Sequence, residues 1–484
     1  MTLKGQSVKS VTFTGASTAI ISTLNFFQMV VLARLIKPSD FGLMGMVNVV
    51  VGFAGLFADM GIGSAIIQRQ DVNRRSLSAL YWLNVLVGLL LFGLLVSFAP
   101  VVVVFYKEPR LRPLLMWASL LFLVAAFGQQ FQVLMEKELE FGRLAKIEIA
   151  AAIFGVLIAV CLGWAGAGAF ALVGGALANT GTKTLVLVFI GLRRWQPSLV
   201  FGWQDIRGYM TFGFNYAGQR SINYISANID FLLIGRFLGA QPLGYYTLAY
   251  NLANLPSSKI NAVISRVFFP VFSRLQDDIG KLKNGYLRMQ EFTSMVNIPI
   301  LFGMAVVAPI AIPLFFGHSW QQSVLLLQIL AVVGLARSIA GTVGPLLLAR
   351  GRTDLGLKWS VLIAAMQIPG IYWGVRSGST LGVAIAFAVL QCLYLFLNYL
   401  ILIRRLVGPC LKDYVLQIWP SFWMSIVMAV ATMAISTLSS RLSPPLLLTV
   451  SIMFGATLYF VLAWYRKKPF IKDMAQLVFN QGKV

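Results

Sequence analysis

VVLARLIKPSDFGLMG, residues 30–45, aligns without gaps with LLIGRFLGAQPLGYYT, residues 232–247, at an offset of 202. The alignment sets Arg34 on Arg236 and Gly42 on Gly244. Each copy reads as the end of one apolar helix, a short turn and the start of the next, and the rest of the chain decides what kind of helices these are. Of its 484 residues 58% are hydrophobic and 11% charged, with a mean hydropathy of +0.80. Ordinary soluble domains carry about 25% charged residues. Apolar runs of about 20 residues, enough to cross a bilayer core as a helix, recur from end to end. A transmembrane barrel would show alternating segments of about 10 residues, whereas solid blocks such as LLMWASLLFLVAAFG (114–128) and LLLTVSIMFGATLYFVLAW (446–464) are found. The expected fold class is an all-α polytopic membrane protein.

Fourteen spans are expected. Six lie near 11–35, 41–66, 78–105, 113–134, 147–164 and 168–190, and six near 209–235, 243–271, 292–316, 323–348, 358–375 and 380–403. Two more lie near 416–438 and 445–465, and the connections are short except for the one after the eighth span. Because six spans separate the two copies of the repeat, both enter the membrane from the same side, which is the mark of parallel repeats. The expected organisation is an N-terminal lobe at 1–195, a pseudosymmetric six-helix lobe at 205–405, and a 412–484 segment with two further spans and a cytoplasmic tail. Transporters built this way bind substrate between the lobes near the midplane.

The net charge of +23 is topological rather than a sign of nucleic acid. Assigning the N-terminus and every second loop to one side, with span-end residues counted to the nearer loop, collects 27 of the 39 Lys and Arg; 8 fall opposite, and Lys183, Arg220, Lys259 and Arg337 are assigned to the spans. The positive-inside rule then puts both termini in the cytoplasm. The N-terminal stretch lacks a small-x-small cleavage site and reads as a retained first helix. Cys161, Cys392 and Cys410 form no disulfide or metal pattern, the single His318 has no partner cluster, and no GxxxxGK[ST] phosphate loop is present. No catalytic residue, metal or bound cofactor is therefore expected.

Polar residues within the spans carry the functional signal. Asn215, Gln219, Asn223, Ser226 and Asp230 in the seventh span are spaced 4, 4, 3 and 4, one helical stripe, with Arg220 about 80° from Asp230. Thr247, Asn251, Asn254, Ser258, Asn261 and Ser265 form a second stripe in the eighth span, beside Lys259 and Arg266 and across Pro256. Ser10, Thr14, Ser17, Asn25 and Gln28 in the first span, and Asn48 and Asp59 in the second, lie on comparable arcs. Single Ser, Thr or Asn residues commonly join helices inside a bundle. Two adjacent stripes four turns long have too many groups for one helix contact and suit a water-filled cavity. The cations Arg220, Lys259, Arg266 and Arg337 outnumber Asp59 and Asp230, and ionisable residues at membrane depth mark substrate and ion pathways. Surplus positive charge with amides and hydroxyls fits an anionic, hydrogen-bonding passenger such as a phosphate-bearing glycan.

FGLMGMVNVV with ADMGIGSAIIQRQ (41–70), LSALYWLN (77–84), FGQQFQVLMEKELEFGRLAKIE (127–148), LIGRFLGAQPLGYYTLAYNLA (233–253), SRVFFPVFSRLQDD (265–278) and LLLARGRTDLGLKW (346–359) carry a family likeness. The chain resembles bacterial polysaccharide flippases of the multidrug/oligosaccharidyl-lipid/polysaccharide superfamily, nearest the colanic-acid-type exporters. The resemblance implies an inner-membrane carrier that works by alternating access. It would turn an undecaprenyl-diphosphate-linked oligosaccharide from the cytoplasmic to the periplasmic leaflet for exopolysaccharide or lipopolysaccharide synthesis, with membrane lipid and a polysaccharide polymerase as partners. It also implies basic cavity residues on the diphosphate, here Arg220, Lys259 and Arg266. Arg337, Asn223, Asn251, Asn254, Asn261, Asn25 and Gln28 complete the candidate substrate-binding set. Asp59 and Asp230 are the groups through which an Na+ or H+ gradient would couple, and Asp230 reads equally as a structural partner. The alternative is a cation-coupled multidrug antiporter of the same superfamily, which would have more carboxylates and fewer cations in its cavity. A membrane glycosyltransferase or ligase would need paired carboxylates in a large loop, and the sequence has none.

Overall fold

The structure, a computed structural model, describes residues 3–59, 63, 66, 73–198, 203–439 and 441–479, with the side chains of 3–14, 59, 203–219, 353 and 467–479 excepted. Among the described residues there are fourteen long helices and no strand. They are α1 (Leu3–Leu35), α2 (Pro38–Asp59), α3 (Arg74–Tyr106), α4 (Leu111–Lys137), α5 (Phe141–Trp164), α6 (Ala169–Leu192) and α7 (Trp203–Phe237). They continue with α8 (Ala240–Leu275), α9 (Ile279–Phe316), α10 (Gln322–Ala340), α11 (Thr353–Arg376), α12 (Thr380–Asn398), α13 (Leu411–Leu438) and α14 (Pro444–Phe479). A short helix, Val343–Ala349, follows α10, and a π turn at Tyr399–Ile403 extends α12.

Twelve of the fourteen are long and apolar enough to cross a membrane, so the chain is a multi-pass helical membrane protein. The two outside that set are α7 and α8, the pair with the polar stripes. Residues 220–237 of α7 include Arg220, Asp230 and Arg236, and α8 contains two prolines as well as its amides. One expectation is corrected: the long connection after the eighth span is helix. α8 runs to Leu275 and α9 begins at Ile279, capped by the Asp278 side chain, which accepts from the Lys281 amide at 3.0 Å. The loop residues read from the charge of this stretch are the ends of two helices, 36 and 38 residues long.

By packing, the chain divides into two compact units, Met1–Thr247 and Leu248–Val484, so that α7 packs with the helices of the first. The core of the first unit is built by α2, α3 and α4, with Ala79, Leu80, Leu83, Val87 and Phe122 at its centre. A second cluster in this unit brings together Tyr81, Phe131 and Trp195, with Trp195 edge-on to the other two rings. In the second unit Phe272, Leu282, Tyr286, Leu346 and Ile403 join α8, α9, α12 and the segments after α10 and α12.

Both copies of the internal repeat lie in the first unit, and their helix ends agree to the residue at the offset of 202. α1 ends at Leu35 and α7 at Phe237; α2 begins at Pro38 and α8 at Ala240. Proline suits the first helical position because its missing N–H would have no partner there, and Gly239, at φ +92, makes the equivalent turn before α8. The copies also touch each other. A Cβ on Gly42 would overlap the Ala240 carbonyl, and a Cβ on Gly244 would overlap the Pro38 carbonyl, which is the same contact with the copies exchanged. The absence of side chains at these two positions is what lets the first turns of α2 and α8 meet backbone to backbone, the close approach that small residues permit in membrane helices.

Gly42→Ala and Gly244→Ala should each destabilise the protein by about 1–3 kcal/mol or more, the usual cost of overpacking. Gly93 in α3 has nothing near its missing Cβ, and Gly93→Ala should be neutral or gain up to about 1 kcal/mol of helix propensity. Thermal unfolding of the purified variants in detergent checks this ranking; equal midpoints for all three would contradict the backbone crossing.

Candidate functional site

α8 brings together the features that set the candidate site apart. Pro256 and Pro270 lie within it, each removing a backbone donor and exposing a carbonyl one turn back. Between them Lys259 and Arg266, seven residues apart, fall within about 20° of each other around the axis and about 10 Å apart along it. Both are exposed, and among the described residues neither has a hydrogen-bond or ion-pair partner. Asn251, two turns earlier than Lys259, is exposed too.

The other candidates in the second unit are committed to structure. Asn261 donates to the Ser338 carbonyl at 2.9 Å and accepts from the Asn297 amide at 3.0 Å, so it ties α8 to α9 and α10. Asn254 accepts from Ser257 at 3.0 Å, beside Pro256. Arg337 on α10 donates to the Tyr250 hydroxyl at 2.7 Å. Its guanidinium lies 4.9 Å from the Phe387 ring centroid and 5.5 Å from that of Tyr250, a cation–π setting that stabilises a half-buried cation. Asn261 and Arg337, expected from the sequence as cavity groups, each join neighbouring helices through partners within hydrogen-bond distance.

In the first unit the α7 stripe divides in the same way. Asn223 and Arg220 are exposed, whereas Asp230 is fully buried and accepts from the Tyr246 hydroxyl at 2.7 Å. Tyr246 is itself fully buried, its ring edge-on to Phe231. Asp230 therefore does not share an open face with Asn223, and the uniform stripe expected for this span is corrected. Tyr224, one residue beyond Asn223, donates to the Asn48 and Val49 carbonyls at 3.0 and 3.2 Å. Its hydroxyl occupies the notch left by Gly52, so it pins α7 to α2. Asn25 is exposed and Gln28 half-buried on α1. The side chains of Ser10, Thr14, Asn215, Gln219 and Asp59 lie outside the described residues.

The sequence reading missed a polar face on α9. Gln290, Glu291, Thr293, Ser294 and Asn297 are all buried. Thr342 donates to the Gln290 side chain at 2.7 Å and lies 3.2 Å from the Tyr286 hydroxyl. Gln290 and Glu291 fall outside the ninth span expected at 292–316, whose start lies thirteen residues inside the observed helix, and Thr293, Ser294 and Asn297 lie within it without having been singled out. The spacing 290, 293/294, 297 is the helical signal that would have found them.

Removing a partner from a buried amide or carboxylate costs about 1–3 kcal/mol, whereas surface changes without partners usually stay within about 0.5 kcal/mol. Asn261→Ala and Tyr246→Phe should therefore lower the unfolding midpoint, and Lys259→Ala should leave it unchanged. Calorimetry on the three purified variants checks this, and a destabilised Lys259→Ala protein would contradict the assignment of Lys259 as a free cation.

Residues 31–325 match the family model described as polysaccharide biosynthesis protein. The lipopolysaccharide biosynthesis protein WzxC of Escherichia coli (strain K12) is 34% identical over 435 residues, covering 90% of this chain and 88% of that protein. The teichuronic acid biosynthesis protein TuaB of Bacillus subtilis (strain 168) is 33% identical over 465 residues, covering 94% and 95% respectively. Among solved structures, the lipid II flippase MurJ in an inward closed conformation superposes with a TM-score of 0.77 at 13% identity, over 95% of this chain and all of that one, a likeness of fold. The family match spans more than half of the chain and both relatives span nearly all of it: the chain belongs to the polysaccharide biosynthesis protein family.

Proposed function

We propose that the protein is a flippase for a lipid-linked oligosaccharide. It receives the undecaprenyl-diphosphate-linked unit in the cytoplasmic leaflet of the inner membrane and releases it in the periplasmic leaflet by alternating access. Its relatives bear the names of polysaccharide-synthesis proteins, and the fold likeness to a lipid II flippase supports the same type of cargo. The observation that carries the reading is the pair Lys259 and Arg266. An unpaired cation at membrane depth costs about 2.5–3.5 kcal/mol on insertion scales. Two of them on one face of a helix, with no partner among the described residues, are held for something that arrives. A diphosphate supplies several charged acceptor oxygens, and charge-assisted bonds to it are among the strongest available. Exposed Asn251 adds a donor on α8.

Transport rather than catalysis is the activity proposed. Its direction comes from consumption of the product by a polymerase outside, or from an Na+ or H+ gradient coupled through a carboxylate. Asp230, fully buried under Tyr246, is the coupling candidate with described surroundings; Asp59 is the other. The charge bias of the loops supports a topology with both termini in the cytoplasm.

Lys259→Ala and Arg266→Ala, introduced singly and together, should lower polysaccharide export at least about tenfold, one diphosphate contact being worth roughly 1.4 kcal/mol or more. The readout is complementation of a strain lacking its own exporter, with protein level measured in parallel. Lys259→Arg should retain export. Wild-type export by the double alanine variant would refute the assignment of these cations to the cargo.

A further inference from the structure

A trough of about 770 Å3 lies in the first unit, between α2, α3 and α7. Its size falls within the ~300–1,000 Å3 range of small-molecule sites, but its lining is almost wholly hydrocarbon. Val49 and Phe53 of α2, Phe98, Val101 and Phe105 of α3, and Ile225 of α7 form the walls. Besides Tyr106, two residues with polar atoms line it, and both are already committed. Tyr224 donates to the Asn48 and Val49 carbonyls, and the Asn228 amide donates to the Tyr224 carbonyl at 2.8 Å. No ordered polar ligand is suited to such a surface. A hydrocarbon chain is.

Length and charge narrow the occupant. The α3 wall runs from Leu91 to Tyr106, about 22 Å at ~1.5 Å per residue. One leaflet of a ~30 Å hydrocarbon core is roughly 15 Å deep, so the trough is longer than a leaflet is deep and admits a chain that reaches past the midplane. α7 also places a cation one turn beyond each end. Arg220 stands four residues before Tyr224, and Arg236 four residues after Leu232, so each adjoins one end of the α7 face that lines the trough, on opposite edges of it. Arg236 donates to the Val104 and Phe105 carbonyls, and its guanidinium lies 5.5 Å from the Phe105 ring centroid, which fixes it at the mouth. An apolar channel about 24 Å from cation to cation is complementary to an amphiphile with a long chain and an anionic head.

We infer that this trough holds the polyprenyl chain of the carried lipid-linked diphosphate, with the diphosphate drawn to Arg220 on one side of the membrane and to Arg236 on the other. The inference rests on the lipid-carrying reading and adds where the chain lies during transfer: along α3, inside the first unit.

The test uses the purified full chain in nanodiscs of phosphatidylethanolamine and phosphatidylglycerol, irradiated with a polyprenyl diphosphate that carries a diazirine on its chain. Adducts are mapped by peptide mass spectrometry. They should concentrate on residues 94–105 of α3 and on Phe53, although bilayer phospholipid is in large excess. Val101→Trp and Phe53→Trp, which fill the trough, should each lower labelling there about tenfold, while Leu90→Trp, on the outer face of α3, should not. Unfolding midpoints of the variants separate a filled trough from a misfolded one. Labelling spread evenly over exposed apolar positions, or unchanged in both filled variants, would overturn the inference. Parallel transport by the same preparation separates the two claims: a wild-type protein that moves the lipid-linked glycan without labelling the trough sinks only the trough, whereas one that moves none sinks the carrier reading itself.

Discussion

The meeting of Gly42 with the Ala240 carbonyl, and of Gly244 with the Pro38 carbonyl, is the constraint on which the first unit depends. Two backbones can come this close only where both helices lack a side chain, and the repeat supplies a glycine at the same register in each copy. Because the two contacts are the same contact with the copies exchanged, the helix ends on either side must also correspond, and they do, from Leu35 with Phe237 to Pro38 with Ala240. Everything that follows on α7 and α8 is positioned from this crossing. Asp230 reaches Tyr246 one turn beyond it, and Tyr224 locks α7 onto α2 through the notch at Gly52.

A membrane helix that carries six or more polar side chains must satisfy them or leave them for water and ligand, since lipid offers no hydrogen bonds. α7 and α8 do both. Asn261, Asn254, Ser226 and Asp230 are satisfied by neighbouring backbone or side chains. Lys259, Arg266, Asn251 and Asn223 are exposed instead. The division separates groups that hold the bundle from groups left exposed. It also accounts for the absence of these two helices from the set apolar enough to span by composition alone. Their insertion leans on the packing of the helices around them.

The sequence made the helical class, the fourteen helices and the repeat legible, because each rests on a long-range signal: apolar length, charge asymmetry, or identity at a fixed offset. Boundaries in polar stretches were less legible. The run from Arg266 to Glu291 carries the charge of a loop, yet it is nearly all helix, and so Gln290 and Glu291 were lost to the flank. The candidate site was legible in composition and not in detail. A helical projection gives the face of a residue but not its neighbours: Asn251 and Asn261 share one stripe in the sequence, yet Ser338 and Asn297 take the second while the first is exposed. The motifs that carry the family likeness proved partly architectural. LSALYWLN and FGQQFQ meet through Asn84 and Gln130 at 3.2 Å and through Tyr81 and Phe131. The trough between α2, α3 and α7 left no mark in the sequence, because apolar residues facing lipid and apolar residues facing a bound chain have the same composition.

The central claim is that charge recognition by α8 selects a lipid diphosphate for transfer across the membrane. It is tested most directly by reconstituting the purified protein into vesicles that hold matched polyprenyl-linked oligosaccharides with a diphosphate, a monophosphate or no phosphate. Leaflet transfer is then scored by accessibility to an added glycosidase. Transfer that falls in that order, and that loses its preference for the diphosphate when Lys259 and Arg266 are both replaced by alanine, is the result the account predicts. Equal transfer of all three lipids by the wild-type protein, or a diphosphate preference that survives the double replacement, would contradict it.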